Sequence, residues 1–539
     1  MNILNLKNMS VLIIEDFDKM RLLVRDILSP LMPEKIVMAR NGKEAIELLE
    51  KQRFDIVFCD YKLGGGKDGQ QILEEARHRN LIGYNAIFII ITAENTSTMV
   101  MGAIDYLPDD YISKPFTPSE LQNRLEKALR KKSSLKEIAN AIKDKNYSKA
   151  TALCDQKLQE KPGGQTEILK TKGDLLYKLG RIDDAEDFYK SLLDERNIPW
   201  VRQALGQIYF QKGNYFQAQL QFESLIKDSP ANVIALDWLA ATLEKQGELD
   251  RCQKLLEQAI EKSPKSPVRQ RKLGEIALQN GAYEVAEKAY EYAIMEGKHS
   301  CFGDMSDLSG LTKSMINQGK TEEAFKSIES LQKDFKNNPD TRLHAAIASS
   351  ILCRETNELD KCSEYLKTVS SLIKSQPENM SPQTALDVTQ SCLAVDNLEM
   401  AGDIVKQLVS NHFENEHLLN QVRDLYEKAG KLEEGNKLIQ SSKQEIVKIN
   451  NEGVKLAKDG KLEQSIDFFI QAAKGMPNNA TINFNAAYSM IQQMKKTGEI
   501  GKYLPLSKQL LEQGHKIDPQ NQKYFQLVKL AEDLNSQAA

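Results

Sequence analysis

Along the first quarter of the chain, short continuous apolar runs alternate with stretches whose apolar residues recur every third or fourth position. Val11-Leu12-Ile13-Ile14, Ile36-Val37-Met38-Ala39, Ile56-Val57-Phe58, Ala86 to Ile91 and Tyr111-Ile112-Ser113 are such runs. Bounded by polar or turn-forming residues, they predict five strands. Between them lie helix-spaced positions: Met20, Leu23, Val24, Ile27 and Leu28 before Ser29-Pro30, and Ala45, Leu48 and Leu49 after Asn41-Gly42. Two further helices are expected from about Gln70 to His78 and from Thr96 to Ile104. A last one opens at Thr117, where Glu120 completes a capping box and Pro118 takes the first helical position. Strands alternating with helices of this length predict βαβ units and a parallel sheet with right-handed crossovers. The run Phe54 to Asp60, FDIVFCD, is apolar on both faces and closes on an acid. It suits a central strand with helices on both sides.

Beyond residue 133 the strand rhythm stops and helix periodicity takes over. Ser134 and Glu137 form a second capping box, so a new helix is expected directly after one ending near Lys132, with no Pro/Gly-rich linker. A fused, continuous helix is the competing reading. Gly180, Gly213, Gly247 and Gly281 then recur at spacings of 33, 34 and 34. Around each the same pattern returns. Residues 200–230 carry Leu205-Gly206, Tyr209, Gly213, Ala218, Phe222, Leu225 and Pro230, and residues 446–477 repeat it with Gly453, Leu456, Gly460, Phe469, Ala472 and Pro477. Each unit reads as a helical hairpin. Small residues let its two helices approach, aromatics fill the gap, a glycine turns the chain, and a proline stops the second helix.

Composition narrows the field. The chain has 539 residues, more than one core normally holds, with Lys plus Arg at 72 against Asp plus Glu at 76. A net charge of −4 gives no global reason to expect nucleic acid or an anionic membrane as a partner. The seven cysteines make no C-x-x-C pair, and no histidine spacing completes a metal site, which predicts reduced core residues of a cytoplasmic protein. MNILNLKNMS has no long apolar run, so no signal peptide is expected, and no stretch approaches a membrane span.

The candidate chemistry lies at the strand ends. Glu15 and Asp16 follow the first strand, Asp60 ends the third, Thr92 the fourth, and Lys114 follows the fifth. In a parallel sheet these positions share one edge, where ligands bind. Three carboxylates together repel and invite a divalent cation, and oxygen-only ligation suits Mg²⁺. One carboxylate is then free to act as nucleophile toward a phosphoryl group, with Thr92 as hydrogen-bond donor and Lys114 as cation. Gly64, Gly66 and Gly69 also match G-x-G-x-x-G. That fingerprint belongs after the first strand of its unit, and Asp60 would aim an anion at a pyrophosphate, so a dinucleotide site is set aside.

On these residues, positions 9–131 resemble a bacterial two-component receiver domain, of flavodoxin-like, doubly wound α/β fold. The resemblance implies that Asp60 is the phosphoacceptor, Asp16 a direct Mg²⁺ ligand, and Glu15 a ligand through water. The backbone carbonyl of Lys62 would complete the set. It further implies phosphate-binding and switch roles for Thr92, Lys114 and the aromatic Tyr111, and a cis bond before Pro115. The loop after Asp60 departs from the family pattern. It reads Tyr61-Lys62-Leu63-Gly64-Gly65-Gly66-Lys67-Asp68-Gly69, with Leu63-Gly64 where Met-Pro is usual and one extra residue before the last glycine.

The helical repeats resemble tetratricopeptide repeats. The match is strong over 166–300 and 446–480, weak over 134–162 and degenerate over 304–445. The expected organisation is a receiver at 1–132, then an all-α tetratricopeptide-repeat (TPR) solenoid in three parts: 134–300, a degenerate stretch at 301–445, and 446–539 with a frayed cap from Asp533. Ten or eleven helix pairs are expected. Such arrays offer a concave surface to peptides or proteins. No acid pair, Ser-His or Cys-His arrangement in the array marks a catalytic site, and no basic stripe suggests DNA.

The reading is a cytoplasmic response regulator, not an enzyme beyond its own phosphorylation and dephosphorylation. A sensor histidine kinase would phosphorylate Asp60. The face formed by the helix over Thr96–Ile104, the fifth strand and the last receiver helix would pass the signal on or dimerise the receiver. The array would then bind an unidentified protein in response. The alternatives are a repeat-built phosphatase acting on another receiver and a phosphate sink or scaffold.

Overall fold

The computed structural model describes residues 5–83, 85–93, 108–144, 146–160, 165–195, 198–336, 338, 340–375, 380–519 and 521–538. Five parallel strands form one sheet: β1 (Ser10–Ile14), β2 (Lys35–Ala39), β3 (Ile56–Asp60), β4 (Ile87–Thr92) and β5 (Asp110–Ser113), in the order β2-β1-β3-β4-β5. Four described helices flank it: α1 (Asp18–Leu28), α2 (Gly42–Lys51), α3 (Gly69–His78) and α4 (Pro118–Ser134). The helix expected over Thr96–Ile104 lies outside the described residues.

The central strands are buried along their whole length, and their side chains divide by parity between two cores. Leu12, Ile14, Val57, Cys59, Phe88 and Ile90 pack with α2 and α3. Val11, Ile13, Ile56, Phe58, Ile89 and Ile91 pack with α1 and α4. Strand alternation thus makes two cores from one sheet and explains why these runs are apolar on both faces. Asp60 ends the strand between β1 and β4, so its carboxylate emerges at the sheet's C-terminal edge.

Thr117 Oγ1 accepts from Glu120 N at 3.2 Å, as the capping box at the start of α4 predicts. Ser134 does not stand at the cap of the next helix, where the second box was expected. The next helix begins at Lys136 with Leu135 at its cap and no side-chain cap bond, because Ser134 is still inside α4. Glu137 instead pairs with Lys157 at 2.8 Å, across to the neighbouring helix. One residue therefore separates α4 from the repeats, and the two helices are not fused.

In chain order the following helices form eleven consecutive pairs among the described residues, from Lys136–Lys143 with Tyr147–Glu160 to Ala480–Thr497 with Ile500–Ile517. Leu432–Lys458 counts twice, as the second helix of one pair and the first of the next. The boundary placed at 445/446 from sequence falls inside this unbroken helix. A final helix, Gln522–Ala538, stands where a frayed end was expected from Asp533. The chain divides into two compact units, one of Met1–Lys172, Phe222–Leu273 and Glu291–Asp304, the other of Gly173–Gln221, Gly274–Tyr290 and Met305–Ala539.

Gly180, Gly213, Gly247 and Gly281 turn their hairpins with φ between 71° and 80°, a left-handed conformation that costs glycine little. Helices end at Asp228, Lys262 and Gly475, two residues before Pro230, Pro264 and Pro477. Within hairpins, aromatic rings cover glycines of the partner helix. A Cβ on Gly274 would lie 2.8 Å from the Tyr290 ring, and one on Gly453 would lie 2.4 Å from the Phe469 ring.

Candidate functional site

The turn leaving β1 is braced from within. Buried Arg21 on α1 donates through Nη1 to the Glu15 carbonyl at 2.6 Å and pairs with Asp18. That brace was not foreseen, because an arginine at a helix's buried face looks like any other amphipathic position. It fixes where Glu15 and Asp16 leave the sheet. Glu15 and Asp60 are buried and Asp16 is exposed, and carboxylate oxygens of all three lie within 4.8 Å of one another. Three acidic residues from two strand ends therefore meet as the strand order predicts.

Lys114 lies beside two of them. Its Nζ donates to Glu15 Oε2 at 2.8 Å and lies 3.0 Å from Asp60 Oδ1. Burial works against the ammonium, but the bonds to Glu15 and Asp60 prevail and raise its pKa. Burial also pushes Glu15 up, with the Lys114 bond opposing and the Asp60 charge adding to the rise. This carboxylate cluster has one exposed member and one half-buried cation, so among the described residues the positive charge in contact with it falls short of three carboxylates. That is the chemistry of a divalent-cation site, so the donor set fits magnesium.

Backbone bonds set the remaining candidates around this cluster. Thr92 ends β4 with its side chain buried, and its carbonyl accepts from Lys114 N at 2.6 Å. Lys114–Pro115 is cis. Tyr111 packs against the core beneath α2 and α3. Burial lifts its phenol to about 12, and its hydroxyl has no hydrogen-bond partner among the described residues.

The loop after Asp60 is tied at both ends. Tyr61 N donates to Ile91 O at 2.9 Å, and Gly69 N donates to Tyr61 O at 2.9 Å. A Cβ on Gly69 would lie 2.4 Å from the Asp60 carbonyl oxygen, so only glycine lets α3 start this close to β3. At Gly64, φ is +63° and a Cβ would lie 3.2 Å from Asp16 Oδ2. Gly64, which stands where the family usually has proline, thus passes beside the exposed acid. Asp68 caps α3 reciprocally with Gln71, at 2.8 Å and 3.0 Å. The sequence carried that signal as an acid three residues before a glutamine, a capping box that passed unnoticed inside the glycine-rich loop.

A family model described as the response regulator receiver domain matches residues 11–126. A chemotaxis protein, CheY-3 of Vibrio cholerae serotype O1, is 33% identical over 121 residues, 22% of this chain and 92% of that protein. The chain belongs to the response-regulator family. A tetratricopeptide-repeat model matches this response regulator at 204–267 and 242–299. Among solved structures, the receiver domain of sensor histidine kinase PA1611 from Pseudomonas aeruginosa PAO1, with magnesium in its active-site cleft, is 24% identical. It covers 23% of this chain and 98% of that one at a TM-score of 0.21. A tetratricopeptide repeat protein from Parabacteroides merdae is 14% identical, covering 44% of this chain and 92% of that one at a TM-score of 0.30.

A receiver in this response regulator implies phosphorylation on an aspartate and a histidine kinase or other phosphodonor as partner, and the repeats imply protein partners. Among the described residues, no helix is long and apolar enough to cross a membrane.

Proposed function

We propose that Asp60 is the phosphoacceptor of a cytoplasmic response regulator, that a sensor histidine kinase supplies the phosphoryl group, and that the repeats deliver the output by phosphorylation-dependent protein binding. The observation that carries this reading is the meeting of Glu15, Asp16 and Asp60 with the Lys114 ammonium on two of them. An Asp60 carboxylate oxygen attacks phosphorus, and the bond to the donor's leaving group breaks with its electron pair going to that group. Lys114 then exchanges its contact with Asp60 for one with a phosphoryl oxygen, and the Thr92 hydroxyl donates to another. Glu15, Asp16, Asp60 and the Lys62 carbonyl would hold Mg²⁺, which neutralises the carboxylates and polarises the phosphoryl group.

The chain's chemistry ends there, with phosphorylation and dephosphorylation of its own aspartate, and the repeats act by binding. Receiver pairing into a homodimer is a further consequence of the same switch. The test is a pull-down from cell extract with the full chain as bait, with Mg²⁺ and beryllofluoride, against Asp60→Asn under the same conditions. Partners retained by the wild-type chain alone support the reading. Identical partner sets and an identical oligomeric state would contradict it.

A further inference from the structure

The loop that leaves Asp60 does not face solvent alone. Lys67 Nζ donates to the His299 carbonyl at 2.5 Å and pairs with Glu75 at 2.8 Å. Lys265 lies 5.4 Å from the Tyr61 ring centroid and 4.0 Å from Asp68 Oδ2. At the far end of α3, His78 meets Phe302 edge to face, with centroids 5.3 Å apart. All these residues belong to one compact unit.

On the repeat side the contact is built. Residues 298–306 connect helix Tyr283–Gly297 to the next helix. A Cβ on Gly303 would lie 2.2 Å from the Gly297 carbonyl oxygen, so the connection folds back tightly on itself. Arg271 Nη2 donates to the Phe302 carbonyl at 3.1 Å and pins it to the neighbouring helix. The connection thereby presents a carbonyl and an aromatic ring to the receiver. Asp68 and Glu296 are both half-buried here; burial pushes their carboxyls up, and Lys265 opposes both shifts.

We propose that residues 265 and 296–302 are a built-in docking partner for the receiver's Tyr61–Asp68 loop and α3, and that this contact carries the state of Asp60 to the repeats. This rests on the reading of Asp60 as phosphoacceptor. Tyr61 and Lys62 follow Asp60 directly, and Gly69 is held against both Asp60 and Tyr61. A change at Asp60 therefore displaces the segment that Lys265 and His299 touch. By linkage, altering the contact alters the energetics at Asp60 by the same coupling energy.

The test uses the full chain and hydrogen–deuterium exchange. Phe302→Ala, and independently the exposed His78→Ala, are expected to raise exchange across 61–78 by about fivefold or more. In the wild type, Mg²⁺ with beryllofluoride is expected to change exchange across 296–302 by a similar factor, and neither variant should show that change. Unaltered exchange at 61–78 in both variants would overturn the docking. A beryllofluoride footprint on 10–16 and 56–62 without any change at 296–302 would overturn the coupling. If beryllofluoride leaves no footprint on 10–16 and 56–62, the phosphoacceptor reading and the coupling fall together. The variants still decide the docking.

Discussion

Replacing Lys114 by methionine removes the cation shared by Glu15 and Asp60 and keeps the length of the side chain. Lys114 touches the two carboxylates at 2.8 and 3.0 Å, and the acidic oxygens lie within 4.8 Å of one another. Two ionised carboxylates at that separation repel by about 3.5 kcal/mol at an effective dielectric of about 20. Asp16 is exposed and screened, so the Glu15–Asp60 pair dominates. Lys114→Met should therefore destabilise the receiver by about 3 kcal/mol near neutral pH without divalent metal, within the range for breaking a buried pair. A proton on Glu15 relieves the same repulsion, so the loss shrinks as the pH falls. A chain of this size does not unfold in one step, so the readout is local. The slowest amides of β1 and β3 should exchange about a hundredfold faster in the variant. Magnesium should restore most of the difference, because a metal ion replaces the lost positive charge. Unchanged exchange without metal, or an equal effect with and without magnesium, would refute the reasoning.

Three further expectations follow from other parts of the chain. Gly69→Ala forces a methyl group to 2.4 Å from the Asp60 carbonyl. It should cost about 1–3 kcal/mol, as overpacking does, and lower phosphorylation by acetyl phosphate, read by intact mass. Buried Arg269 grips Asp237 at 2.8 and 2.9 Å and the Ser263 carbonyl at 2.7 Å. Arg269→Leu should destabilise the helices around 233–273 by about 3 kcal/mol, the low end for a buried pair since Asp237 keeps some solvent, seen as faster exchange there and not in β1. Burial holds His412 and His515 below the ordinary histidine value of 6.5. The unfolded chain then binds protons first, so their contribution is present above that value and lost as the pH falls through their folded pKa. Acidification from about pH 7.5 to about 5.5 should weaken the segment 305–539 by about 1 kcal/mol or less per histidine. His515→Gln should flatten that dependence in urea unfolding.

The sheet was legible in the sequence because both faces of its central strands are buried, so each strand is a continuous apolar run. The acidic site was legible for a related reason. A parallel sheet brings every strand's C-terminal residue to one edge, and Glu15, Asp16, Asp60, Thr92 and Lys114 each sit at such an end. The hairpins showed through their turn glycines and stop prolines. Other features left weaker marks. Between Gly435 and Gly453 there is no residue that breaks a helix, so the fusion of two helices into Leu432–Lys458 leaves no local signal. At Ser134 the capping pattern was present and misled, because α4 runs two residues past its expected stop near Lys132 and Glu137 finds Lys157. The contact of Lys67 with His299 spans 232 residues. Neither partner is unusual in its own neighbourhood, so only the folded chain reveals it.

The central claim is that Asp60 takes the phosphoryl group. The direct measurement is intact-mass analysis of the full chain after incubation with acetyl phosphate and Mg²⁺, followed by borohydride trapping and peptide mapping. The account predicts one phosphoryl group per wild-type chain, trapped at Asp60, with none on Asp60→Asn and none when the metal is chelated. Equal labelling of Asp60→Asn, or a trapped site elsewhere in the chain, would contradict it.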